Sequence, residues 1–198
     1  MNLFLLEKGE TLKISEIEKQ ILKESEEVSI QNILKEFRLL TNDLEHLLYP
    51  SLLESEGEES SDEMFEEDFE TFRIRFRNIS RLTATFIREL KKNEKEQKGI
   101  LDTGYVKKLD DEIQKVFEFY QEQMQKRVER KTIVKIQNAF YAYIQLAKVI
   151  NLTLKEYNKS YKPGFPLLKN IPEPSDLGIF VGLETYFQQW LGNLNSLF

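Results

Sequence analysis

The sequence predicts an all-α fold: an elongated helical bundle built on a long antiparallel helical hairpin, with an N-terminal helical pair and a C-terminal aromatic helix. Three observations carry this reading. Only 8 Gly and 5 Pro occur in 198 residues, too little punctuation for the many turns a sheet protein needs. Apolar residues recur at alternating three- and four-residue steps along several long segments, the period of a buried helix face. A hydrophobic share of 40%, with 12% aromatics, supplies the apolar mass that disordered chains lack.

The elements follow in order. Ser15-Glu16-Ile17-Glu18 is a capping box, so a short helix is expected over about 16–27. A second helix begins near Ser29 and places Ile30, Ile33, Phe37, Leu40, Leu44 and Leu47 on one face, with Leu34 and Leu48 widening the stripe. Pro50 stops it, because proline disfavours the α conformation in the residue before it. Residues 51–63 are acidic and serine-rich, a self-repelling linker. Ser55 with Glu58, and Ser60 with Glu63, match the spacing favoured by acid-directed kinases, although a plain solvated connector explains the same composition.

The strongest pattern comes next. Phe65, Phe69, Phe72, Phe76, Ile79, Thr83, Phe86 and Leu90 step by four and three without a break. They predict a helix over about 62–97, on the order of 50 Å long. Glu63, Glu66, Glu67 and Asp68 at its start and Lys91, Lys92 and Lys95 at its end complement the helix dipole. Gly99 and Gly104 bracket a turn. Beyond it, Val106, Leu109, Ile113, Val116, Tyr120 and Met124 form one seam, and Ile136, Phe140, Tyr143, Ala147, Ile150, Leu154 and Tyr157 form another. The register slips around 127–132, which predicts a kink or break there. A short connection between matched seams predicts the antiparallel hairpin. Pro163, Pro166, Pro172 and Pro174 make the next stretch extended. Ser175 is then the cap of a last helix carrying Phe180, Leu183, Phe187, Trp190 and Leu191 on one face, prolonged by Leu194 and Phe198. The organisation is therefore an acidic helical segment at 1–50, a linker at 51–63, the hairpin core at 64–162, a connector at 163–174 and the aromatic helix at 175–198.

Catalysis finds little support in the residues. The chain has no Cys and one His, which removes thiolate ligands, cysteine nucleophiles and any two-histidine metal site. No phosphate-binding glycine loop, zinc-protease motif or nucleophile elbow occurs. Asp43-Leu44-Glu45-His46 is the nearest approach to a carboxylate–histidine metal motif and cannot be duplicated here. No enzyme activity, cofactor or metal is expected. The N-terminus lacks a basic segment before its short apolar run, and no stretch reaches the roughly 20 apolar residues of a membrane span. The expected setting is intracellular and cytoplasmic, or nuclear in a eukaryote, with no membrane insertion.

What remains points to partners. The net charge of −6 divides unevenly: residues 1–70 hold 6 Lys and Arg against 20 Asp and Glu, a net −14, and the remainder hold 22 against 14, a net +8. Arg73, Arg77, Arg81, Arg88 and Lys92 line one side of the long helix, with Arg75 off the line. Lys126, Arg127, Arg130, Lys131 and Lys135 form a second basic cluster. Such rows can track a phosphate backbone without reading sequence, and they can equally pair with the acidic first 70 residues. Phe180, Leu183, Phe187, Trp190, Leu191 and Phe198 are the candidate protein interface, since exposed aromatics concentrate at binding hot spots; packing back onto the bundle is the plainer alternative. The expected function is a non-catalytic scaffold or interaction subunit of a larger assembly. The second reading is a nucleic-acid-binding subunit of a nucleoprotein complex.

Overall fold

A computed structural model of the chain describes residues 28–49, 60–92, 103–125, 130–161, 164–177 and 185–197. The predicted helix at 16–27, most of the acidic linker and the Gly99 turn lie outside the described residues. Five α-helices are present among those that are described: α1 (Ile30–His46), α2 (Ser60–Lys91), α3 (Thr103–Met124), α4 (Arg130–Ser160) and α5 (Thr185–Asn195). The fold is an all-helical bundle, and its two longest helices, α2 and α4, pack against one another.

Each helix follows from its sequence. The Ser29 hydroxyl accepts the Asn32 amide at 3.1 Å and so caps α1. The aromatic seam of α2 is inward along its length: Phe65, Phe69, Phe72, Phe76, Ile79, Thr83 and Phe86 are all buried. Each phenylalanine so placed contributes about 1.5–3 kcal/mol over an exposed one. Val106, Leu109, Ile113, Val116 and Tyr120 of α3, and the whole seam from Ile136 to Tyr157 of α4, are buried as well. The register slip separates the two seams into two helices, α3 ending at Met124 and α4 starting at Arg130.

Side-chain pairs give the helix directions. His46 at the end of α1 acts electrostatically on Asp68 near the start of α2, so these two form an antiparallel pair. The Tyr120 ring at the end of α3 lies 4.2 Å from Phe140 near the start of α4, a second antiparallel pair. Glu66 meets Lys135 near the starts of α2 and α4, and Phe86 meets Tyr157 near their ends, so the two long helices run parallel. The chain thus reverses after α2, where the glycines predict it, and again at the register slip. Helices α1 and α3 also run parallel, through Arg38–Glu112 and Tyr49–Phe119. Helix α1 packs against α2, α3 and α4, and α2 packs against α4, while α3 meets α4 through Tyr120 and Phe140.

Two further pieces lie against α4. The connector is extended over 164–173, as its prolines require. It lies along α3 and α4, held by side chains that bind its backbone. Asn158 accepts the Phe165 amide at 2.8 Å and donates to the Phe165 carbonyl at 2.7 Å. Asn151 does the same for Leu168, at 2.9 and 2.8 Å. Asp110 of α3 accepts the amides of Lys169 and Asn170 at 2.7 and 2.8 Å, and the Tyr120 hydroxyl donates to the Leu177 carbonyl at 2.8 Å. Ser175 does not open a long helix. Pro174–Leu177 is a single 3-10 turn, because the Asp176 carboxylate accepts the Glu173 amide at 2.9 Å while its own amide bonds the Glu173 carbonyl. The α-helix starts later, at Thr185. Helix α5 then covers the join of α2 and α4, with Phe187 packed edge-on against Phe69, Phe72 and Phe76 at 5.1–6.5 Å.

Candidate functional site

The basic row on α2 divides into a part ion-paired across the bundle or along its own helix and a part exposed on the outward face. Near the N-terminal third, Arg73 is ion-paired to Glu70, and Glu66 on the same helix takes Lys135 of α4. Lys135 also lies 5.4 Å over the Phe69 ring. Pairing within the chain therefore accounts for Arg73 and Lys135. Farther along, Arg77, Arg81, Arg88 and Lys92 are exposed on the outward face. Arg81 donates to the Asn78 side-chain oxygen at 3.1 Å. Among the described residues neither it nor Arg88 nor Lys92 belongs to an ion pair. Lys126 and Arg127 lie outside the described residues, and so do the side chains of Arg130 and Lys131 on the first turn of α4.

Arg75, off the row, has the most constrained environment of the arginines on α2. Its side chain is 12% exposed and bridges Glu36, which is fully buried, at 3.1 Å and Asp43 at 2.6 Å. Burial pushes the Asp43 carboxyl above the usual carboxylate range, and the Arg75 guanidinium pulls it partly back. This network joins α1 to α2 in the interior and is structural. The signal for it was present in the sequence as a glutamate, Glu36, set beside Phe37 within the apolar stripe of α1.

The C-terminal aromatic helix turns its face inward. Phe187 is fully buried, Leu191 and Leu194 are buried, and Trp190 is half-buried against the core. Phe187 and Leu191 therefore belong to the core of this chain and not to an outward interface, Phe187 packing on Phe69, Phe72 and Phe76 of α2. Phe180, Leu183 and Phe198 lie outside the described residues.

The exposed aromatic surface lies elsewhere, at the end of the bundle where α1 and α3 finish and α2 begins. Tyr49, just past α1, is 49% exposed, and its ring sits 5.5 Å from Phe119 and 6.3 Å, edge-on, from His46. Met64, 42% exposed, is one helical turn before Asp68 on the same side of α2, and His46 acts electrostatically on Asp68. Tyr49 and the half-exposed Phe119 thus form an apolar patch, and Met64 is exposed at the same end of the bundle, at the start of α2. The charged residues next to these positions along the helices are mainly acidic: Glu45 on α1, Glu63, Glu67 and Asp68 on α2 and Glu118 on α3, with Lys115 one turn before Phe119. Burial raises the Asp68 carboxyl above its ordinary value, offset in part by His46. Sequence periodicity could not find this patch, because each member falls just outside a seam.

A cavity of about 890 Å³ opens between the start of α3 and the connector, lined by Val106, Lys107, Asp110, Phe165, Leu167 and Lys169 among others. Its best-placed carboxylate, Asp110, is committed to the connector amides. Among the described residues no group of three or more His, Cys, Asp or Glu side chains is placed to hold a metal ion. Nor is any described helix long and apolar enough to cross a membrane. Comparison with protein-family models, with curated proteins and with solved structures finds no match to this chain.

Proposed function

We propose that the chain is a non-catalytic helical interaction subunit that binds a partner protein through the bundle end carrying Tyr49, Met64 and Phe119. The observation that supports this reading is the exposure of Tyr49 and Met64 on a chain that buries its other aromatic seams so completely. Aromatic residues and methionine are enriched at the centres of protein interfaces, inside a polar rim. Here the neighbouring charged residues are mainly acidic, so a partner carrying an apolar side chain within a basic surface is the complementary one. The lack of cysteine suits a reducing, intracellular setting.

A photocrosslinking residue placed at position 49, compared with one at the exposed Leu152 of α4, tests the assignment in the native host. Crosslinks confined to position 49, and abolished by Met64→Ala with Phe119→Ala, are the expected result. Equal or stronger crosslinking from position 152 would remove the patch as the site.

A further inference from the structure

Beyond the patch, the outward face of α2 carries a second surface of a different kind. Arg77, Arg81, Arg88 and Lys92 project from one rigid helix at intervals of four, seven and four residues. At 1.5 Å per residue the row is about 22 Å long. All four are exposed, and Arg81, Arg88 and Lys92 make no ion pair among the described residues. Apart from Glu89, the acidic residues of the same helix lie before the row, at or before Glu70. Glu66 and Glu70 lie at its other end and are taken by Lys135 and Arg73. Half-buried Glu89 is the one carboxylate on α2 among these cations.

We propose that this row is a binding track for the phosphate backbone of a nucleic acid. Four cations in single file on a straight rod match a linear polyanion. A membrane surface calls for a broad basic face with apolar side chains to insert, and Ala84 and Thr85, the small residues between Arg81 and Arg88, supply none. Arginine adds bidentate contacts to phosphate oxygens. A row of about 22 Å runs beside some six phosphates of one strand of a duplex, at one per 3.4 Å. The contacts are to backbone alone, so binding is independent of base sequence and sensitive to salt. This proposal does not depend on the patch at Tyr49, which lies at the opposite end of α2.

The test is a salt titration of the full chain against a fluorescent 20-base-pair duplex of arbitrary sequence and its single strand. Anionic phosphatidylserine vesicles form the comparison arm. About three phosphates neutralised by Arg81, Arg88 and Lys92 predict a slope of log affinity against log salt of about −3 on duplex and about −2 on single strand. Arg81→Gln with Arg88→Gln should flatten the duplex slope by about 2, whereas Lys155→Gln, an exposed lysine on α4, should leave affinity within about twofold. Circular dichroism checks that each variant keeps its helix content. Absence of binding to either nucleic acid at 50 mM salt overturns the proposal. So does an equal effect of Lys155→Gln, and so does binding to vesicles in preference to both nucleic acids.

Discussion

Replacing Gly164 with alanine tests how the connector is held to the bundle. A β-carbon built at this position lies 2.2 Å from the Asn158 side-chain oxygen and 2.5 Å from its amide carbon. Those contacts are far inside van der Waals distance, so the Asn158 amide must move. Moving it breaks the two bonds it makes to Phe165, each worth about 1 kcal/mol net. It also loosens the Phe165 ring, which is 5% exposed and packs 5.7 Å from Tyr157; partial exposure costs about another 1 kcal/mol. The gain from a less flexible unfolded chain is about 0.4–1 kcal/mol. The expected loss is therefore roughly 2–3 kcal/mol, a fall of about 4–12 °C in Tm for a chain of this size. Urea unfolding measures it, and a cycle with Asn158→Ala isolates the cause. Once the amide is gone only the approach to the β-carbon of residue 158, at 3.0 Å, remains, so Gly164→Ala should cost about 1 kcal/mol or less, under half of its loss in the wild-type background. A full loss persisting in the Asn158→Ala background would refute the clash; so would no loss in the wild-type background.

Two other expectations concern the charges between α1 and α2. Arg75→Ala leaves the fully buried Glu36 without its guanidinium partner and should destabilise by about 3–5 kcal/mol, measured by urea unfolding; a loss below 1 kcal/mol would mean that the network is not desolvated as described. Asp68 has a folded-state pKa raised chiefly by burial, so its carboxyl contributes stability below the ordinary carboxylate pKa that is lost as pH rises through the raised value. Asp68→Asn should accordingly be more stable than wild type at neutral pH, with the difference shrinking as pH falls towards 4. A constant difference across that range, in thermal melts at several pH values, contradicts the reading.

Much of the fold was legible because a heptad seam states which residues are buried. Phe65 to Phe86 and Ile136 to Tyr157 are inward without exception. The break between α3 and α4 was legible for the same reason, since a seam that changes register cannot stay on one straight helix. Helix direction was not. A seam of alternating steps reads the same from either end, so nothing in Phe65–Leu90 or Ile136–Tyr157 distinguishes a parallel neighbour from an antiparallel one. Polar pairs such as Glu66–Lys135 distinguish them, and these involve residues that periodicity assigns to the surface. The basic row was legible as a row, but the capture of Lys135 by Glu66 depends on which acids the bundle brings near. The inward turn of α5 and the exposed cluster at Tyr49 depend on long-range packing that no local pattern encodes. Asn151 and Asn158 were a readable signal, two identical amides seven residues apart on α4, and only the connector lying beside them gives that spacing a meaning.

That spacing acts as a ruler. Seven residues of helix advance about 10.5 Å, and the three steps from Phe165 to Leu168 in an extended chain advance about 10 Å. The two amides therefore measure a length of chain and grip main-chain atoms at both ends of it. Pro166 and Leu167, between the grips, make none of these main-chain bonds, so the grips constrain their number more than their identity. One residue added or removed there puts the second grip out of step and carries the error on to Asp110, Tyr120 and the seating of α5. Evolution of this segment is thus expected to proceed by substitution and to avoid insertion and deletion, the reverse of what an ordinary surface loop permits.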